Sequence, residues 1–98
     1  MKLRNRWSYR GENRWDWEAF LDDEGTGDLS DVDSVEYLLH PTFPKPLVRV
    51  TQPEDGFALR TNGWGTFELS AFVHRKDGTI DKLTHNLKLS HEPPEGVS

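Results

Sequence analysis

Two short segments carry aromatic rings at positions where a folded chain seldom places them. Leu39-His40-Pro41-Thr42-Phe43-Pro44-Lys45-Pro46 sets Phe43 between prolines, and Asn62-Gly63-Trp64-Gly65-Thr66-Phe67 sets Trp64 between glycines. Glycine has no Cβ, so the neighbouring backbone amides can approach a ligand closely. One ring from each segment, with the Thr42 hydroxyl and bare amides between them, would form a slot for something flat and neutral with one hydrogen-bond acceptor. Each segment alone has a plainer use. A tryptophan beside glycine can plug the end of a core, and a proline-rich loop can be a stiff connector.

Other chemistry is poorly supported. There is no cysteine, no Gly-x-Ser-x-Gly elbow and no glycine-rich phosphate loop. His40, His74, His85 and His91 lack the i, i+4 spacing of a helical zinc motif. His85, among leucines, reads as a hydrogen-bonded interior or edge histidine. The chain is therefore expected to be no enzyme, with no metal and no cofactor. Asp22-Asp23-Glu24-Gly25-Thr26-Gly27-Asp28 with Asp31 is rich in hard oxygens but lacks the ordered EF-hand pattern. It reads as a solvated acidic loop, whose functional alternative is to steer a basic peptide. Arg4, Arg6, Arg10 and Arg14 interleave with Trp7, Tyr9 and Trp15, which suits stacking on single strands. The net charge of −5 opposes it, and no duplex nucleic acid binding is expected.

The charges are segregated: residues 15–36 hold nine of the seventeen acids and neither Lys nor Arg. That pattern bears on partners more than on fold. No run approaches the roughly 18 apolar residues of a membrane span, so no membrane association is expected. Met1-Lys2-Leu3-Arg4-Asn5-Arg6 leads into no apolar stretch, so no signal peptide is expected, and a cytoplasmic location fits.

The elements that must position the two segments are strands. Ninety-eight residues suffice for one small domain. Alternating runs separated by turn residues dominate, and no window has a helical period. Strands are expected around Leu3–Tyr9, Arg14–Leu21, Val32–His40, Leu47–Thr51, Phe57–Thr61, Phe67–Val73 and Thr79–Leu89. Asp77-Gly78 reads as a two-residue type I′ hairpin turn. Residues 1–90 are expected to form the domain and residues 91–98 a frayed C-terminal tail. Seven to eight short strands and no helix imply an all-β, immunoglobulin-like antiparallel β-sandwich. The 40–46 and 62–66 loops should lie at the same end.

The run Val35-Glu36-Tyr37-Leu38-Leu39-His40-Pro41-Thr42-Phe43-Pro44-Lys45-Pro46, followed by Gly63-Trp64-Gly65-Thr66-Phe67-Glu68, resembles the YEATS domain family. The shorter prokaryotic YEATS-like branch is the nearer match. Trp17-Glu18-Ala19-Phe20 and Leu83-Thr84-His85-Asn86-Leu87-Lys88-Leu89 extend the resemblance from about Trp15 to Leu89. It implies an immunoglobulin fold that reads acylated lysine on a peptide or protein. The family's His-x-Ser/Thr-Phe motif falls on His40, Thr42 and Phe43, and its Gly-aromatic-small motif on Gly63, Trp64 and Gly65. By that resemblance Phe43 and Trp64 sandwich the acyl amide, while the Thr42 hydroxyl and the Trp64 N–H hold it. His40 supports the hydroxyl or the slot wall, and Gly65 leaves the far end open to longer, planar acyl groups. Asn13 stands where many eukaryotic members have a further cage aromatic, and Asn86 where some have a carboxylate. The alternative is a protein-interaction or structural module of a bacterial signalling or defence system that binds no acyl-lysine.

Overall fold

Period-two burial is what the sequence offers, and two stacked sheets are the arrangement that uses it. The computed structural model describes residues 1–25, 27–63, 65–92 and 95–98. Its strands are β1 (Lys2–Gly11), β2 (Arg14–Asp22), β3 (Val32–Leu38), β4 (Leu47–Val50), β5 (Leu59–Gly63), β6 (Glu68–Arg75), β7 (Ile80–Asn86) and β8 (Glu95–Val97). They form two four-stranded sheets, ordered β5-β2-β1-β8 and β4-β3-β6-β7, with every pairing antiparallel. The expected all-β sandwich is thus what the chain adopts.

The core lies between the sheets. Trp15, Trp17, Ala19 and Leu21 of β2 are buried on one face, opposed by Val35 and Tyr37 of β3 and by Leu69, Ala71 and Val73 of β6. Tyr37 is fully buried and its hydroxyl donates to the Phe57 carbonyl at 2.6 Å. Burial pushes the phenol well above its ordinary titration range.

Four local expectations are corrected. Phe57 does not open a strand. Asp55, Gly56 and Phe57 have φ of 54°, 73° and 55°, a left-handed turn that points Phe57 into the core below β5. Gly56 is obligatory there, since a Cβ would run into the Leu21 carbonyl oxygen. The same turn (Glu54–Phe57) and a 3₁₀ turn at Asp28–Asp31 interrupt the helix-free pattern, without adding a layer.

The β6–β7 turn is not two-residue type I′. The Gly78 N–H donates to the Arg75 carbonyl at 3.0 Å, the Arg75 N–H donates to the Thr79 carbonyl at 2.8 Å, and Gly78 has φ 91°. That is a three-residue loop closed by a left-handed glycine, because Asp77 keeps a negative φ. The paired positive φ of a type I′ turn occurs instead at Glu12 (54°) and Asn13 (57°), joining β1 to β2.

Finally, residues 95–98 do not fray. β8 pairs with β1 through Arg6↔Val97, Trp7↔Gly96 and Ser8↔Glu95. Ser98 and Asn5 exchange backbone hydrogen bonds of 2.7 and 2.9 Å. The free edge of β1 supplies unpaired backbone groups, and Gly96 has no Cβ to collide with the Trp7 indole beneath it.

Candidate functional site

The Trp15↔Gly63 pairing sets the end of β5 beside the start of β2. The loop after β5 therefore emerges at the same end of the sandwich as the loop after β3. Between them lies a groove of about 440 Å³ lined by Arg14, His40, Thr42, Phe43, Pro44, Thr61, Asn62, Gly63, Gly65, Thr66 and Phe67. Five of the residues singled out in the sequence (His40, Thr42, Phe43, Gly63 and Gly65) meet on this one cavity. The sixth, Trp64, lies outside the described residues.

The 39–46 loop is built from local bonds. The Leu39 N–H donates to the Pro46 carbonyl at 2.6 Å and closes its neck. The Phe43 N–H donates to the His40 carbonyl at 3.0 Å and turns the chain between them. The Thr42 N–H donates to His40 Nδ1 at 3.2 Å, and Thr42 Oγ1 lies 3.0 Å from the same nitrogen. A backbone amide can only donate, so Nδ1 is the unprotonated acceptor and the hydroxyl proton also points to it. The Thr42 oxygen, part of the groove wall, keeps lone pairs with which to accept.

Rings form the groove's apolar side. Phe43 is half-buried, 5.7 Å from Phe67 between centroids, and both rest edge-on against Trp17 at 6.4 and 6.0 Å. His40 lies 6.1 Å from Phe67. Edge-to-face contacts at such spacings are favourable, so Phe43 is held without being absorbed into the core. Gly63 closes the base of the groove. A Cβ there would sit 3.5 Å from Trp17 Nε1 and 3.9 Å from Phe43 Cζ. A Cβ at Gly65 would meet nothing within 4 Å among the described residues.

Sequence reasoning missed Phe67 and Arg14. Phe67 alternates with Leu69 and reads as core, yet it precedes β6 and is half-exposed on the groove. Arg14 reads as one more member of a basic segment, and only the β2–β5 register brings it to the groove.

Asn13 does not face the groove: its side-chain oxygen meets His91 Nε2 at 3.1 Å, and its N–H donates to the Tyr9 hydroxyl at 3.2 Å. His91 in turn packs on Tyr9 and Trp15. The acidic loop is at the other end of β2, about 27 Å away at 3.4 Å per residue. Screening over some 8 Å removes it from the groove's electrostatics. Its acids serve their own loop: Asp22 accepts from the Glu24 N–H and from Arg4, which hold its carboxyl below the usual range. At that distance the alternative of steering a basic peptide to the slot is not supported, and the segment is the solvated acidic loop expected. His85 is hydrogen-bonded as expected, its Nε2–H donating to Asn5 Oδ1 at 2.7 Å.

A larger, shallower concavity of about 810 Å³ covers the outer face of β5-β2-β1-β8. Most of its charges are matched: Glu18 accepts from Arg6 at 2.6 Å and Arg60 at 2.8 Å, and Asp16 from Arg10 at 2.9 Å, while Glu95 at its edge has no ion pair among the described residues.

The family model described as the prokaryotic YEATS domain matches residues 15–88. Transcription initiation factor TFIID subunit 14 of Schizosaccharomyces pombe is 36% identical over 66 residues, a match covering 66% of this chain and 27% of that protein. The chain thus spans about a quarter of that relative's length. Among solved structures, the yeast AF-9 homologue Yaf9 superposes with a TM-score of 0.80 at 22% identity, covering 98% of this chain and 75% of the other. The Yaf9 YEATS domain bound to H3K27ac gives 0.76 at 19%, covering 99% and 78%. The Yaf9 YEATS domain recognising an H3K122suc peptide gives 0.64 at 18%, also covering 99% and 78%.

Proposed function

Because the chain belongs to the prokaryotic YEATS domain family, we propose that it is a binding module that takes the acylated side chain of a lysine into the groove between the 39–46 and 63–67 loops. The observation that carries this reading is the His40–Thr42–Phe43 unit on the groove wall. It sets a ring and an oriented hydroxyl oxygen side by side on the same groove that Gly63 and Gly65 line. Solved Yaf9 YEATS domains with acylated histone peptides support it by fold likeness.

In this reading Phe43 and Trp64 flank the planar amide. Trp64 enters on its sequence position between the two glycines and on the family motif. The Trp64 N–H donates to the acyl carbonyl. The Thr42 hydroxyl, its proton held by His40, accepts the N–H of the acylated lysine. An amide has one donor and one acceptor, and both are met. Unmodified lysine brings a cation with three donors and no acceptor, so it leaves the Trp64 amide unsatisfied.

Ring stacking contributes about 0.5–1.5 kcal/mol per ring, and each net hydrogen bond about 0.5–1.5 kcal/mol. After the cost of association, a dissociation constant of roughly 10 μM to 1 mM follows. Titrating acetyl-, propionyl- and crotonyl-lysine peptides against tryptophan fluorescence tests it, with the unmodified peptide as control. Saturable binding of the acylated peptides alone is expected. Equal binding of modified and unmodified peptides would return the chain to a protein-interaction module without acyl recognition.

A further inference from the structure

We propose that the cleft between the open edges of β1 and β7 accepts an extended segment of another polypeptide as an added strand, with an apolar residue turned inward between non-basic polar ones. The cleft is separate from the loop groove and independent of acyl-lysine binding. Leu3, which lines it, pairs with Leu21, six residues and about 20 Å along β2 from Trp15 at the groove's end.

β8 covers the outer edge of β1 only from Asn5 to Ser8. Asn5 exchanges both backbone hydrogen bonds with Ser98, so its N–H and C=O point to that edge. Strand alternation points those of Leu3 the same way, and there they meet no partner among the described residues. β7 is the edge of its own sheet. The Arg75 N–H donates to the Thr79 carbonyl and the Leu87 N–H to the Phe67 carbonyl, which assigns the odd-numbered residues of β7 to the β6 ladder. The N–H and C=O of Lys82 and Thr84 therefore point away from β6, again without a partner among the described residues.

The two open rows border one cleft of about 390 Å³, whose lining includes Met1, Leu3, Leu83, Thr84 and Ser98. A neighbouring contact shows what such edges require. The buried Asn5 side chain stands in for a strand, donating through Nδ2 to the Lys88 carbonyl at 2.7 Å and accepting from the Lys88 N–H at 3.1 Å. Further along both edges, at Leu3 and Thr84, no described residue does so. A strand continuing the line of β8 would serve both, as strands added to open edges do. Its residue opposite Leu3 would exchange hydrogen bonds with Leu3 and turn its side chain inward to Met1, Leu3 and Leu83. The residues on either side would turn their backbone groups to β7 and their side chains outward, beside Lys2 and Arg4. Those two cations disfavour a second copy: β1 paired with its own image about Leu3 would set Lys2 opposite Arg4, a destabilising like-charge pair.

The probe is a capped heptapeptide, Glu-Thr-Val-Thr-Val-Thr-Glu, titrated into the isotope-labelled chain and followed by NMR. In the free chain the Leu3 amide should exchange with solvent far faster than that of Asn5. The peptide should shift the Leu3 and Thr84 amides saturably and slow exchange at both. N-methylation of its valines, which removes the donors facing β1, should weaken binding about tenfold or more. Replacing its threonines by lysines should weaken it as well. A Leu3 amide as protected as that of Asn5 in the free, dilute chain would mean a closed edge and overturn the proposal. Protection that rises with protein concentration alone would assign the cleft to a second copy and overturn the choice of partner. No saturable shift, or shifts indifferent to N-methylation, would overturn strand addition.

Discussion

His40 Nδ1 accepts from both the amide and the hydroxyl of Thr42, at 3.2 and 3.0 Å, two residues along the same exposed loop. That double acceptance fixes which way the hydroxyl can serve a ligand. Its proton is used internally, so its oxygen is the acceptor that the groove offers.

Thr42→Val should therefore weaken acyl-lysine binding about tenfold, because the ligand N–H is buried without an acceptor. Thr42→Ser should bind nearly as wild type. Thermal melts of both should match wild type, since position 42 is exposed. A peptide whose lysine is both Nε-methylated and Nε-acetylated has no N–H to give. It should bind weakly and be indifferent to Thr42→Val, and a tenfold loss there as well would show that the hydroxyl donates instead.

Phe43→Ala and Trp64→Ala should each abolish detectable acyl-lysine binding while leaving the circular dichroism spectrum and melting transition in place. Phe43 is half-buried and leans on Phe67 and Trp17 from a loop. Its removal should cost less than the ~3–5 kcal/mol of a core aromatic deletion. Trp17→Ala should incur that larger cost, because Trp17 is 3% exposed. Denaturant titrations compare the three, and unfolding of Trp64→Ala would mark Trp64 as a core plug.

Stability should fall as pH drops below about 6.5, the value His85 has when unfolded. Burial, assisted by nearby Arg4, lowers the folded value. The unfolded chain then binds the proton more readily, so stability is present in full above 6.5 and declines as pH falls through the folded value. His85→Gln retains a donor for Asn5 Oδ1 but does not titrate, and its denaturant midpoint should vary less between about pH 7.5 and 5, the range over which histidine changes charge. Asp22 and Asp77, whose carboxyls are held below 3.8, add their own loss only at more acid pH.

Gly56→Ala should destabilise the fold more than Gly25→Ala. Both glycines have positive φ, 73° and 81°, so each substitution incurs about 1–2 kcal/mol of backbone strain. Only at position 56 does the new Cβ also meet backbone, the Leu21 carbonyl, adding about 1–3 kcal/mol of overpacking. Gly96→Ala should displace β8 from Trp7, seen as faster amide exchange at residues 95–98 with β2 protection unchanged. Equal melting temperatures for Gly56→Ala and Gly25→Ala would refute the close approach.

The sequence by itself determined the sandwich and most of its core. Trp15, Trp17, Ala19 and Leu21, or Leu69, Ala71 and Val73, are spaced by two residues, and in an extended chain that spacing alone sends them to one face. It also brought Phe43 to notice as a ring set between prolines, and His40, Thr42, Gly63 and Gly65 through the motifs of the YEATS resemblance. It could not reveal β8: Glu95-Gly96-Val97 has no apolar alternation, and it is a strand only because an edge of β1 nearly ninety residues earlier stands open to it. Nor could it show that Phe57 turns inward, where its carbonyl accepts from the Tyr37 hydroxyl twenty residues away. Arg14 looked like its basic neighbours until the pairing of Trp15 with Gly63 carried it to the groove, and only the length of β2 shows how far the acidic loop lies from the slot. Side-chain alternation is a property of one strand, written in neighbouring residues. Strand edges, loop neighbours and the distance between charges arise only from contacts between distant segments, and those exist only in the folded chain.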